Sequence, residues 1–157
     1  MKLRNMIWIG LVLACGAGCS DFLDVQPKDK QSEKQLFSTR GGFYMAVNGI
    51  YNKVASTALY GKNLSYELVD VISKRYQPLP VNTYLTALST FAYTDENVKK
   101  TLESTWTTAY NTILNCNVVL DNLEESDGIL LTPEYRMLKG EMLALRAFLH
   151  FDMLRLF

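Results

Sequence analysis

Hydrophobic residues beyond position 38 recur with the period of an α-helix. Four of them follow one another at spacings of 4, 3 and 4 residues and share one helical face: Phe43, Val47, Ile50 and Val54. Thr39 stands just before this stripe, and threonine is a common N-cap residue. The pattern predicts a first helix from Thr39 to Ser56.

The next part of the chain has two kinds of pattern. A short apolar stripe predicts a second helix from Leu64 to Arg75. From Tyr76 to Thr94 the helical period is lost, and two prolines with scattered serine and threonine predict an extended or looped segment. Phe91 and Tyr93, near the end of this segment, are expected to pack in the core.

Two longer helices are predicted in the second half of the chain. Asp95 begins the third helix, because an acidic side chain suits the positive end of the helix dipole. Its apolar stripe continues to Leu123. After a turn that contains Asp-Gly, Thr132 is expected to cap the fourth helix, with Pro133 at its first position.

The fourth predicted helix is apolar on two faces. One stripe consists of Tyr135, Leu138, Met142, Leu145, Leu149 and Leu156. A second stripe beside it consists of Ala144, Phe148, Phe151 and Leu154. A helix with two apolar faces must be covered on both sides. Only three predicted helices precede it, so we expect the chain to be the N-terminal part of a longer protein.

These elements predict an all-α fold of antiparallel helices joined by short turns, with one irregular, loop-rich segment. A helical bundle and a tetratricopeptide-like array both fit this pattern. Spacing alone does not choose between them, because the 157 residues show no strict internal period.

The composition narrows the classes of function. Hydrophobic residues make up 48% of the chain, which is typical of a folded domain and not of a disordered one. Its 16 basic and 16 acidic residues cancel. No basic patch is visible that would attract nucleic acid or an anionic membrane surface.

The N-terminal segment has the pattern of an export signal. Lys2 and Arg4 precede an apolar run, and the stretch from Met6 to Cys19 covers 14 residues. Spanning a bilayer takes about 20 residues, so the length indicates a secretory signal instead of a retained span.

Two cysteines at the end of this segment indicate a lipoprotein signal, in which the thiol of a cysteine is acylated and the preceding residues are removed. Small residues precede Cys19, and polar residues follow it at once. Cys19 is therefore the predicted lipid attachment site, with Cys15 as the alternative. Removal of residues 1–18 would leave a lipidated tether over residues 19–32 and a helical region over 33–157.

Four motifs in order make the chain resemble the SusD/RagB family of outer-membrane nutrient-uptake lipoproteins. "CSDFLDVQPKD" is similar to the acylated family start, and "GIYNKV" to its Gly-x-Tyr stretch. "WTTAYNTILNCNVVLDNL" resembles the Trp-Tyr-Ile-Asn helix of the family. "KGEMLALRAFLHFDMLRLF" resembles its Gly-Glu-x-x-x-x-Arg-Ala helix.

The resemblance implies a function and a location. Members are longer, largely helical proteins of tetratricopeptide-like type that are lipid-anchored on the outer membrane and face the cell exterior. They bind glycans or other large nutrients, are not enzymes, and deliver ligand to a SusC-like TonB-dependent transporter. The alternative is a helical scaffold or adaptor lipoprotein that binds other proteins.

Catalytic chemistry has little support in the sequence. The single histidine, His150, is followed two residues later by Asp152, which falls on a different helical face, so we expect a partly buried structural histidine. No spacing of Cys, His or carboxylate residues suggests a metal site, and no phosphate loop or nucleophile motif suggests a cofactor.

Sugar binding has better candidates in the loop-rich segment. Sugars present apolar C–H faces with hydroxyl rims, which suit aromatic rings next to guanidinium or amide groups. Arg75, Tyr76, Asn82 and Tyr84 provide these groups in the region where the resemblance implies part of the glycan platform. These four residues are the predicted ligand-binding residues.

Overall fold

The computed structural model describes residues 32–77 and 81–157, in which the regular structure is helical. We number the helices α1 to α6 in chain order. They are α1 (Glu33–Leu36), α2 (Arg40–Val54), α3 (Leu68–Ile72), α4 (Thr83–Ser89), α5 (Glu96–Glu124) and α6 (Thr132–Leu156). The predicted all-α class is confirmed, while the tetratricopeptide-like arrangement stays a prediction.

The first predicted helix is confirmed as α2. The hydroxyl oxygen of Thr39 accepts a hydrogen bond from the backbone N–H of Gly42 at 3.1 Å and so caps the helix. Gly42 is also needed for space, because a Cβ atom there would lie 1.6 Å from the carbonyl oxygen of Leu36. The chain therefore turns tightly from α1 into α2.

The second predicted helix is mostly wrong. Only Leu68–Ile72 is helical, and residues 55–67 form successive hydrogen-bonded turns. The helix cannot continue past Lys74, because the φ angle of this residue is 59°, in the left-handed region. The segment predicted to be irregular contains α4, which begins where the side chain of Asn82 accepts a hydrogen bond from the N–H of Leu85.

The third and fourth predicted helices are confirmed as α5 and α6. Asp95 caps α5, with Oδ1 accepting hydrogen bonds from two backbone N–H groups at 2.9 and 3.1 Å. The cap of α6 differs from the prediction, because Thr132 is already helical and Leu131 occupies the cap position. Glu134 satisfies the N–H of Leu131 at 3.2 Å in place of a hydroxyl cap.

The core follows the antiparallel pairing of α5 and α6. Leu120 and Leu123 pack with Leu138 and Met142, whereas Ala109 and Ile113 pack with residues farther along α6. Helix α2 covers the first of these two clusters. A third buried cluster joins α3, α4 and the start of α5: Leu68, Val71, Leu88 and Val98.

The two apolar stripes of α6 have different surroundings. The first stripe faces the core, with Leu138, Met142 and Leu149 fully buried. The second stripe is mostly open within the described residues: Phe151 is 56% exposed and Leu154 is 80% exposed, while Phe148 stacks on Tyr60 with ring centroids 5.2 Å apart. No helix in residues 32–77 or 81–157 is both long and apolar enough to cross a membrane.

One polar contact between α5 and α6 involves Arg146. Its guanidinium donates to the side-chain oxygen of Asn117 at 2.8 Å. An arginine among apolar neighbours suggests a carboxylate partner, either Asp70 or Glu141, and this expectation is wrong. Asp70 instead lies 3.3 Å from Arg75.

Replacing Arg146 by methionine is expected to lower the free energy of unfolding by about 1 kcal/mol, because one hydrogen bond is lost while the apolar stem is kept. Urea unfolding measures this change. Arg136→Met, an exposed position of the same helix, is the matched control and should change stability by less than about 0.5 kcal/mol. A loss of about 3 kcal/mol at Arg146 would indicate a buried carboxylate partner instead.

Candidate functional site

Two of the predicted ligand-binding residues lie just beyond α3 with their side chains accessible. Arg75 is exposed and pairs with Asp70, with Nη1 and Oδ1 3.3 Å apart. Tyr76 is 41% exposed, and its hydroxyl group donates to the carbonyl oxygen of Tyr66 at 3.4 Å. Tyr66 is also exposed, so one exposed tyrosine precedes α3 and another follows it.

The other two predicted residues have structural contacts. The amide oxygen of Asn82 is engaged as the cap of α4. Tyr84 is half-buried against the third core cluster, and its hydroxyl group donates to Glu67 Oε1 at 3.4 Å. Burial raises the pKa of the Tyr84 hydroxyl. The structure therefore does not place all four predicted side chains on one open surface.

The aromatic residues nearest α5 were expected in the core, and this expectation is wrong. Phe91 and Tyr93 are both about half exposed, with ring centroids 6.2 Å apart. The ammonium group of Lys74 lies 4.6 Å from the Phe91 ring centroid. Phe91 has a φ of 57°, in the left-handed region that a non-glycine residue seldom adopts.

A cavity of about 530 Å³ lies between α3 and the last turn of α6, and Arg75 lines it. Its polar wall consists of Ser65, Asp70, Ser73, Arg75, Asp152 and Arg155. Its apolar wall consists of Leu64, Val69 and Leu156. This volume is within the range of small-molecule sites, which are about 300–1,000 Å³.

A buried carboxylate organises one wall of this cavity. Asp152 is only 5% exposed, and its two oxygens accept hydrogen bonds from the Tyr60 hydroxyl group and the Arg155 guanidinium. Burial and then this hydrogen bond raise the pKa of Tyr60 well above its usual 10.0. Sequence reasoning missed Asp152 and Arg155 as site residues. The sequence did contain one signal for Asp152: it lies three positions after the core residue Leu149, so it shares a helical face with a buried side chain.

A smaller apolar cavity adjoins the first. It has a volume of about 300 Å³ and is lined by Leu68, Ile72, Tyr93, Leu102, Leu156 and Phe157. Leu156 lines both cavities, so the mixed cavity and the apolar cavity meet at the end of α6.

The remaining chemically reactive residues lie away from the cavities or outside the described residues. Cys15 and Cys19, the predicted lipid attachment sites, are outside the described residues. Burial raises the pKa of the Cys116 thiol to about 11, so this cysteine stays protonated at neutral pH. His150 was expected to be partly buried, but it is exposed, with its ring 5.9 Å from Tyr110. Within residues 32–77 and 81–157, no three His, Cys, Asp or Glu side chains converge to hold a metal ion.

The fold and the cavity together define an all-α protein with a recess of binding-site size and mixed polar and apolar lining. Residues 21–157 match the model of a SusD-like family described as starch-binding and associating with the outer membrane. The chain belongs to this family, as its four motifs predicted. The family is thus one of binding proteins at the outer membrane.

The chain is also similar to a SusD-like protein of Formosa agariphila. The two are 27% identical over 135 residues, which cover 82% of this chain and 25% of that protein. The chain therefore spans about a quarter of the length of this relative. No solved structure matches the chain.

Proposed function

We propose that the protein is a cell-surface lipoprotein that binds a glycan and delivers it to a SusC-like TonB-dependent transporter. The observation that supports this most is the family match over residues 21–157, because the family description combines starch binding with the outer membrane. The proposal assigns the protein no catalytic role and no cofactor.

The proposal includes a lipid anchor. Residues 1–18 act as the signal that is removed, Cys19 carries the acyl chains, with Cys15 as the alternative, and residues 19–32 form the tether. Each buried methylene contributes about 0.8 kcal/mol, so several acyl chains hold a protein on a membrane durably. The anchor places the folded part, residues 33–157, on the outer face of the outer membrane.

Exposed aromatic rings on either side of α3 support glycan binding there. Tyr66 just before α3 and Tyr76 just after it are both exposed, and the Tyr76 hydroxyl group donates to the carbonyl oxygen of Tyr66. Such rings stack on the C–H face of a sugar, while the nearby Arg75 supplies N–H donors for its hydroxyl groups. Of the four residues predicted from sequence, Arg75 and Tyr76 keep this role in the proposal.

A glycan array followed by titration calorimetry tests the ligand class. Tyr76→Ala is expected to weaken binding of the best glycan about tenfold, because loss of one stacking contact costs about 1–1.5 kcal/mol. The matched control is Tyr51→Ala, since Tyr51 on α2 is 44% exposed and Tyr76 is 41% exposed. Absence of glycan binding by the parent protein, or equal losses in both variants, would contradict the proposal.

Partner and anchor require separate measurements. Affinity purification from outer membranes is expected to recover a barrel transporter with the protein, and mass spectrometry should find acyl chains on Cys19. An intact, unmodified amino terminus would exclude the lipid anchor without affecting the glycan assignment.

The second candidate function is a helical scaffold that binds other proteins. The open stripe of α6 favours it, because contiguous apolar side chains on a helix often mark protein contacts. Leu154→Glu separates the two functions, because Leu154 is 80% exposed and lines neither cavity. It should reduce protein association in the scaffold and leave glycan binding unchanged in the receptor.

A further inference from the structure

We infer that the cavity between α3 and the end of α6 is a binding subsite for one neutral sugar residue of the glycan. This inference rests on the proposed glycan-binding function and adds a place and a ligand class to it. The cavity lies beside Arg75 but is formed largely by residues that sequence reasoning did not select.

The cavity has the two kinds of wall that a sugar ring requires. Leu64, Val69 and Leu156 form an apolar surface for the C–H face of a pyranose ring. Ionic and hydroxyl groups surround this surface and are placed to meet the ring hydroxyls. A sugar bound in this cavity would displace water from the apolar wall with its C–H face and from the polar wall with its hydroxyl groups.

The polar wall retains unused hydrogen-bonding capacity. A guanidinium has five N–H donors, and within the described residues Arg75 uses one of them, on Asp70. The Ser65 and Ser73 hydroxyls donate to backbone carbonyl oxygens at 2.5 and 3.2 Å, which leaves their oxygens free to accept. The wall therefore offers both donors and acceptors to hydroxyl groups.

The balance of charge selects a neutral ligand. Arg75 and Arg155 face the cavity together with Asp70 and Asp152, so two cations and two anions line it. Each carboxylate already has its own guanidinium partner. An anionic ligand would meet two carboxylates and a cationic one two guanidinium groups, whereas a hydroxyl group interacts favourably with both signs.

Asp152 is a positioning residue in this subsite. It is too deeply buried to contact a ligand over much of its surface, but it holds the guanidinium of Arg155, whose side chain is 59% exposed. Its second oxygen is fixed by the Tyr60 hydroxyl group, so the carboxylate is anchored from two directions. Asp152 thereby holds the guanidinium of Arg155 beside the cavity, where it also lies 4.6 Å from the centroid of the Phe151 ring.

The test is a titration of the ¹⁵N-labelled protein with maltose, cellobiose, lactose and xylobiose, and with glucuronic acid as the anionic probe. At least one neutral disaccharide is expected to shift the amide signals of Ser65, Ser73 and Leu156. Arg75→Gln should weaken its binding about tenfold or more. Arg136→Gln, the same change at an exposed position of α6, should leave binding unchanged.

The results that would contradict the inference differ according to whether the subsite alone or the glycan-binding function also fails. If the parent protein binds a disaccharide but the shifts lie elsewhere, the subsite is wrong and the glycan function stands. If Arg75→Gln binds as the parent does, the subsite and the role proposed for Arg75 in glycan binding are both wrong, while glycan binding by the protein stands. If no neutral sugar or array glycan binds, both fail. Tighter binding of glucuronic acid excludes the neutral class. Should Arg75→Gln fail to fold, Ser65→Phe, which obstructs the cavity without changing charge, serves as the variant and must abolish binding.

Discussion

Replacing Phe43 by alanine is expected to lower the free energy of unfolding by about 3–5 kcal/mol. Phe43 is 0% exposed, and its ring centroid lies 5.0 Å from that of Phe37 in the cluster that joins α2 to α5 and α6. Removing the ring loses its transfer free energy and leaves a cavity between three helices. Urea unfolding followed by circular dichroism measures the loss.

Phe151→Ala is the matched control for this substitution. It removes the same ring from the open stripe of α6, where 56% of the residue is already exposed. The expected change is below about 0.5 kcal/mol, as for most surface substitutions. If both substitutions lowered the free energy of unfolding by similar amounts, the assignment of Phe43 to the core and of Phe151 to the exposed face of α6 would be wrong.

The sequence predicted those helices whose local signals, such as caps and apolar periodicity, agree with the packing in the folded protein. Helices α2 and α5 begin directly after Thr39 and Asp95, because the side chain of each of these two residues caps the helix by accepting hydrogen bonds from backbone N–H groups of its first turn. These contacts are local, so a single sequence reveals them. The buried stripe of α6 was also predictable, since its side chains recur with the helical period.

The predictions failed where distant contacts override the local pattern. Leu64 fits a helical stripe with Leu68, and the predicted helix ended at Arg75. The chain at both ends instead folds into turns held by non-helical hydrogen bonds, such as Arg75 N–H to the carbonyl oxygen of Asp70. Asn63 in the same region is buried and donates to Thr105 on α5. Periodicity does not report contacts between residues so far apart in the chain.

The candidate site was predictable only in part for the same reason. Arg75 could be selected because aromatic residues follow it closely in the chain. Asp152 gave only a weak signal, as an acidic residue three positions after the core residue Leu149, because its role depends on Tyr60, which lies 92 residues earlier. Asn82 was selected for its amide group, which the fold uses to begin α4. The sequence shows which side chains could bind a ligand. The fold determines which of them are not already used in structural contacts.

Replacing Asp152 by alanine is expected to lower the free energy of unfolding by about 2 kcal/mol, the second largest effect we predict. The half-buried hydroxyl group of Tyr60 would lose its acceptor, while the exposed guanidinium of Arg155 would return to water at little cost. Thermal and urea unfolding of the variant measure the loss.

Two further variants show whether the loss comes from this network. Asp152→Asn keeps an oxygen acceptor for Tyr60 and removes only the charge, so its expected loss is about half as large, roughly 1 kcal/mol. In a double-mutant cycle, Tyr60→Phe combined with Asp152→Ala should give a coupling energy of about 1 kcal/mol, because the two side chains share one hydrogen bond. Fully additive losses would mean that Asp152 stabilises the end of α6 without Tyr60, and the carboxylate would then not be held in the orientation that presents Arg155 to the cavity.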